Sequence, residues 1–195
     1  MPQHFLEQFF PRERFDEADW QAILSSFRKV RISKQQYLLL EGSIARHYWF
    51  VQEGILRSYA VDGTGKDLTL DFFTAGDVAI DWSSFLQQQP TREYIQALTD
   101  VVCWELDYPT FQKLFHQFEA FRQAGRNRLV ASYFALKRRH LSTSVDQAKD
   151  RYLNLVDQRP EVVQNVPLKH IASYLGITDT SLSRIRKELA DGHSA

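Results

Sequence analysis

Between Glu13 and Phe27 the apolar residues Phe15, Trp20, Ile23, Leu24 and Phe27 recur at helical spacing, which predicts an amphipathic helix laid over a core. The texture then changes. From Tyr37 to Asp107, short aromatic and β-branched runs occupy residues 37–40, 48–51, 55–61, 68–73, 94–98 and 101–106. Gly42, Gly54, the segment Asp62-Gly63-Thr64-Gly65 and Gly76 part these runs, and Asp-Gly is a strong hairpin signal. Many short strands with regular turns predict a sandwich, barrel or jelly roll rather than a parallel sheet. Trp49, Trp82 and Trp104 fall in this region and read as core-filling residues.

At Asp107 the pattern reverts to helix, with Asp107 as N-cap, Pro109 in the first turn and an end near Phe118. Beyond it Phe121, Gly125, Leu129, Ser132 or Tyr133, Leu136 and His140 step by three or four through about five helical turns. One face of this long helix is apolar and the other Arg-rich. The length of the stripe favours a seam between two copies of the chain over packing on its own β-region, and Gly125 and Ser132 would allow close approach. The small polar stretch Leu141 to Asp146 marks a boundary, with Asp146 expected to cap a helix at 147–157. The chain therefore divides into a β-region over 1–118, a connecting helix over 119–142 and a helical C-terminal part over 143–195.

A length of 195 residues allows one large domain or two small ones, and a hydrophobic fraction of 44% excludes wholesale disorder. Net charge is zero, but it is unevenly placed. Residues 1–125 carry 12 basic and 17 acidic side chains, whereas 126–195 carry 12 basic and 7 acidic, which suggests that the C-terminal part meets a polyanion. The lone Cys103 excludes an internal disulfide and sits in the apolar run 101–106, where an inert buried thiol is expected. Met1 to Phe10 has no basic stretch followed by an apolar run, and no segment approaches the roughly 18 apolar residues of a membrane helix. A soluble, cytoplasmic protein without membrane contact is the expectation.

Residues 168–189 read LKHIASYLGITDTSLSRIRKEL. Ile171, Leu175, Ile177, Leu182 and Ile185 supply the inward positions of two short helices. Ala172 is small where the two would cross, and Gly176 suits the left-handed residue of a tight turn. Thr178 then caps a second helix whose exposed residues are Asp179, Thr180, Ser181, Ser183, Arg184, Arg186 and Lys187. Hydroxyls and guanidinia in this arrangement reach phosphates and base edges, and the joint pattern points to a helix-turn-helix. Lys169, His170 and Arg184 to Lys187 are the candidates for backbone contacts, Arg184 is placed for a bidentate guanine contact, and Asp179 either accepts from cytosine or strengthens the helix N-terminus.

Glu41-Gly42, Phe50-Val51-Gln52-Glu53-Gly54, Ala75-Gly76-Asp77 and above all YLGITDTSLSRIRKEL, set in this order of regions, resemble the Crp/Fnr family of bacterial transcription regulators over essentially the whole chain. The resemblance implies an α+β protein with an N-terminal antiparallel jelly roll like a cyclic nucleotide-binding domain, a dimerisation helix and a C-terminal helix-turn-helix domain. It implies a non-enzymatic, sequence-specific regulator acting as a homodimer, with double-stranded DNA as partner and RNA polymerase beside it. The small-molecule effector stays unnamed, and no cofactor or metal is expected.

Three departures qualify the resemblance. Cyclic-nucleotide sensors hold the phosphate with a Gly-Glu pair and an Arg-Ser pair, and the matching positions are Ile80-Asp81 and Arg92-Glu93. Asp81, Trp82, Arg92 and Glu93 thus outline a candidate effector pocket in which Glu93 would repel an anion, so cyclic AMP binding is not expected. Asp81 and Arg92 are expected to pair with each other or with solvent. Residues 190–195 after Leu189 do not suggest the usual β-hairpin wing. The third departure is the start Thr178-Asp179-Thr180-Ser181, which differs from the base-reading residues of the best-known cyclic-nucleotide sensor and predicts a different operator. The alternatives are a cyclic-nucleotide-responsive regulator of the same family, a DNA-independent sensor or adaptor, and a cupin-like metal enzyme. The six dispersed histidines argue against the last, and the basic C-terminal part against the adaptor.

Overall fold

Eight strands build the N-terminal body in the computed structural model, which describes residues 4–191. They are β1 (Arg28–Ile32), β2 (Tyr37–Leu39), β3 (His47–Glu53), β4 (Leu56–Val61), β5 (Asp67–Phe73), β6 (Val78–Ala79), β7 (Tyr94–Ala97) and β8 (Val101–Asp107). All pairings are antiparallel, in two four-stranded sheets of order β1-β8-β3-β6 and β2-β7-β4-β5, which is the expected jelly roll. Two strands escaped the sequence reading. In β1, Val30 and Ile32 alternate with Arg28, Lys29 and Arg31, so charge hides the period-two pattern; β6 is two residues long.

The turns follow from residue type. Between β4 and β5 the Asp62 carboxylate accepts from Thr64 N at 2.8 Å, Thr64 Oγ1 at 2.7 Å and Lys66 N at 3.1 Å, closing the Asp-Gly turn. Between β3 and β4, Gly54 has φ of +88°, and a Cβ there would meet Asp100 O at 2.2 Å, so only glycine fits.

Phe50 of β3 contacts Phe9 and Phe10 of the N-terminal segment, Phe27 after α1 and Tyr48 on the same face of its own strand in edge-on or tilted pairs, with centroids 4.6 to 5.7 Å apart. Trp49 and Trp104 fill space and keep a polar handle, donating to Glu105 Oε2 at 3.1 Å and Gln52 Oε1 at 2.9 Å. Cys103 is fully buried and its thiol is pushed up to about 12, mainly by burial, as an inert cysteine requires.

Eight α-helices complete the described residues: α1 (Glu17–Ser26), α2 (Trp82–Gln87), α3 (Tyr108–Gln117), α4 (Glu119–Val145), α5 (Ala148–Gln158), α6 (Pro160–Asn165), α7 (Leu168–Tyr174) and α8 (Asp179–Asp191). The cap on α3 is Asp107, which accepts from Thr110 N at 2.7 Å with Pro109 in the first turn. Asp146 does not cap α5. It ends α4, accepting from Ser142 Oγ at 2.5 Å, while Gln147 precedes α5; a carboxylate bonded to its own preceding turn prolongs that helix. The long helix therefore runs to Val145 rather than to residue 142. A second core joins Tyr152, Leu155, Val162, Val166, Ile171, Ala172, Leu175, Leu182 and Ile185, and it continues into Ile55 and Phe72 of the β-body. Of residues 190–195, on which the expectation about a wing rests, Ala190 and Asp191 continue α8 and 192–195 lie outside the described residues.

Candidate nucleic-acid interface and effector site

Helices α7 and α8 meet through a turn that the sequence dictates. Leu175 ends α7, Gly176 has φ of +68°, Ile177 N donates to Ala172 O at 3.0 Å and Gly176 N to Ser173 O at 3.1 Å. These are the two hydrogen bonds of a Schellman ending, which glycine closes without strain. Thr178 then starts α8, its Oγ1 accepting from Ser181 N at 3.2 Å and its carbonyl from Leu182 N at 3.0 Å. Leu182 and Ile185 point into the second core.

On the opposite side of α8, Asp179, Thr180, Ser183, Arg184, Arg186 and Lys187 are all exposed, as are Thr178 and, on α7, Lys169. Ser181 differs. It is half-buried, and its hydroxyl lies 2.9 Å from Thr178 Oγ1, so it serves the cap rather than the exposed face. Arg184 is held only loosely, 3.9 Å from Glu188 at exposed side chains, and remains available to a polyanion. His170 is buried beneath α7, not presented outward; burial, then the nearby Arg57 guanidinium, lowers its pKa to about 4.

The stripe read along α4 is split by the structure. Phe121 is buried and stacks on Phe10, so it belongs to its own β-body. Gly125 and Ser132 are half-buried on the side where Arg128 covers the Phe9 ring at 4.6 Å and Arg139 covers Tyr174 at 4.0 Å. Leu129, Tyr133 and Leu136 lie on the outer side, Tyr133 and Leu136 at 59% and 64% exposure. With Val130, Phe134, Leu141 and Val145 they make seven large apolar side chains exposed on this helix, a concentration of the kind that marks an interaction site.

The effector positions are also rearranged. Asp81 caps α2, its Oδ1 accepting from Ser83 N at 2.9 Å and Ser84 N at 3.1 Å, while Oδ2 accepts from Thr91 Oγ1 at 2.6 Å. Arg92 is exposed in the bend before β7 and is not the partner of Asp81; the buried Thr91, one place earlier, takes that role. Trp82 is half-buried at the start of α2. Glu93 is half-buried with its pKa pushed up to about 7, first by burial and then by the Asp81 and Asp71 carboxylates. Asp71 is likewise raised by burial. Asp71, Asp81 and Glu93 thus bring three carboxylates together at the candidate effector position. Cavities of about 270 Å³ beside Tyr37, Leu40, Arg46 and Trp49 and about 260 Å³ beside Arg28, His47, Glu105 and Asp107 lie elsewhere on the β-body.

One set of polar contacts was missed in the sequence. The edge strand β5 is covered by α7, with Thr69 N donating to Ser173 Oγ at 2.9 Å and Phe72 packed on Tyr174. Arg139 and Arg159 also bind at this joint and Arg151 ties the end of α7 to the end of α4, and nothing in residue type separates such arginines from solvated ones. Among the described residues no group of three His, Cys, Asp or Glu could hold a metal ion, and no helix is long and apolar enough to cross a membrane.

Residues 29–118 match the cyclic nucleotide-binding domain family. FixK2 of Bradyrhizobium japonicum superposes with a TM-score of 0.74 at 16% identity, covering 86% of each chain. A protein of Eubacterium rectale assigned to the Crp/Fnr family gives 0.72 at 13% identity, over 95% of this chain and 89% of that one. This is the Crp/Fnr fold. Another chain with that fold, the c-di-GMP-responsive global regulator CLP of Xanthomonas campestris, gives 0.68 at 20% identity, over 91% of this chain and 93% of that one. No curated protein sequence matches the chain. Within the Crp/Fnr fold, the matched family region spans the jelly roll from β1 through α3, and α4 to α8 follow it as the sequence resemblance implied.

Proposed function

We propose that the chain is a sequence-specific DNA-binding transcription regulator that acts as a homodimer and does not respond to cyclic nucleotides. The observation that carries the reading is α8, with a polar face of Thr180, Ser183, Arg184, Arg186 and Lys187 set over a buried Leu182–Ile185 spine behind a Schellman turn. Such a helix can enter a major groove while its neighbours hold the backbone. The apolar outer face of α4 supports pairing with a second copy, which would place two recognition helices about 34 Å apart on adjacent grooves. The solved relatives of this fold that are named as regulators support the same reading. In this scheme residues 1–118 are the sensor domain, 119–145 the dimer helix and the rest the DNA-binding domain.

The carboxylates Asp81, Glu93 and Asp71 speak against a cyclic phosphate, which would add a further negative charge to a partly dry site. The effector, if the jelly roll takes one, is then not a cyclic nucleotide held in the usual manner. RNA polymerase is the further partner expected of such a regulator, and the cytoplasm its compartment. Selection of bound sequences from random DNA tests the reading: a two-fold symmetric site is expected, and recovery of no enriched sequence at low salt would refute it.

A further inference from the structure

The basic excess of the C-terminal part is not all offered to a ligand. Three of its arginines are turned onto backbone carbonyls of other elements. Arg151, on α5, donates through Nη1 to Asp146 O at 2.5 Å and through Nε and Nη2 to Leu175 O at 3.2 and 3.0 Å. Asp146 ends α4 and Leu175 ends α7, so one guanidinium neutralises the negative ends of two helices and ties them together.

Arg139, on α4, lies 4.0 Å over the Tyr174 ring and reaches Thr69 O at 3.3 Å and Tyr174 O at 3.5 Å, joining α4, β5 and α7. Arg159, just after α5, donates to Phe72 O and sits 3.5 Å from Asp77 Oδ2 and 3.9 Å from Asp71 Oδ1, joining the C-terminal helices to the β-body. A planar guanidinium fixes direction as well as distance, which an ammonium does not.

Resting on the DNA-binding reading above, we propose that Arg139, Arg151 and Arg159 are positioning residues that set the direction of α8 relative to α4, and through it the half-site spacing the dimer accepts. None of the three is a phosphate contact. A tilt of about 10° acting over a lever of about 20 Å displaces the reading face by roughly one base-pair step, so small losses at this joint are visible in spacing. Arg151 is the most direct of the three because its two acceptors are the end of the long helix and the turn before α8.

The test uses the full-length protein and the half-site recovered by selection, presented alone or as palindromes whose spacers differ by one and two base pairs, over a range of salt. Wild type is expected to prefer one spacer by at least about tenfold. Arg151→Gln should bind the isolated half-site within about twofold of wild type with an unchanged salt slope, and its spacer preference should fall below threefold. Arg151→Lys should restore only part of that preference, and if Arg151→Gln fails to fold, Arg139→Gln is read in its place. A salt slope lowered by about 0.9 would make Arg151 a phosphate contact and overturn the proposal. Equal losses on half-site and palindrome, or an unchanged spacer preference, would overturn it too. Wild type that binds neither DNA would instead refute the DNA-binding reading itself.

Discussion

Phe10 and Phe121 stack with ring centroids 5.0 Å apart and planes 10° from parallel, which binds the first turn of α4 to the N-terminal segment of the same chain. The apolar stripe on that helix therefore has two owners: Phe121 serves the protomer, whereas Leu129, Tyr133 and Leu136 face outward. Substitutions on the two sides should separate. Phe121→Ala removes a buried ring and should cost about 3–5 kcal/mol in urea unfolding while leaving assembly intact at low temperature. Leu136→Glu changes an exposed side chain and should convert the proposed dimer to a monomer in sedimentation velocity at micromolar concentration. A Leu136→Glu protein that sediments like wild type would remove this face from the interface.

The Asp81–Thr91 hydrogen bond engages the carboxylate of the candidate effector position, and the Glu93 and Asp71 carboxylates lie near it. Calorimetric titration with cyclic AMP or cyclic GMP should therefore give no binding heat at millimolar nucleotide. Asp81→Ala removes the α2 cap and should lower stability by about 1–2 kcal/mol without changing DNA affinity. Saturable binding of either nucleotide would show that the carboxylates rearrange or protonate.

Glu93 gives stability a pH dependence of defined sign. Its carboxyl titrates at about 7 in the folded chain against an ordinary value of 4.5, so between these values the native state holds a proton that the unfolded chain has lost. Stability contributed by this group is complete below 4.5 and is lost as pH rises to about 7. Glu93→Gln should consequently gain about 1–3 kcal/mol at pH 8 and nothing at pH 4. His170 acts oppositely: its neutral form is favoured in the fold, so its contribution falls as pH drops from 6.5 towards 4. Chemical unfolding of Glu93→Gln and wild type across pH 4–8 checks this, with parallel curves as the adverse result.

Where residue type alone fixes a local environment, the sequence was readable. Gly176 before Thr178, with Ile171, Leu175, Leu182 and Ile185 at fixed offsets, admits few arrangements, and the helix-turn-helix formed as expected. The Asp107 cap and the Asp62 turn were legible for the same reason. Side-chain direction set by distant contacts was not. Phe121 continues an apolar stripe in sequence, yet its partner Phe10 lies more than a hundred residues away, and only tertiary packing assigns it. Arg92 matches the arginine of the Arg-Ser pair by position, but it stands exposed in the bend before β7, and Thr91 makes the contact to Asp81. Arg139, Arg151 and Arg159 count in the sequence with the polyanion-facing charge, since nothing local shows that they meet carbonyls.

Specificity should reside on the exposed face of α8, where Arg184 is free enough to extend into a groove while Leu182 is fully buried. Arg184→Ala should cost about 1–3 kcal/mol on the preferred site and relax preference at one base pair, as expected when a bidentate contact to guanine is lost. Leu182→Ala is the control for folding: it empties a core position and should lower stability by about 2–5 kcal/mol, weakening binding only through the unfolded fraction. Thermal melts and competition binding on the two variants separate these routes, because the first should melt like wild type and the second should keep the wild-type ranking of sites at low temperature. If Arg184→Ala leaves that ranking unchanged, Arg184 does not read a base, and the specificity must come from DNA shape or from the hydroxyls of Thr180 and Ser183 beside it.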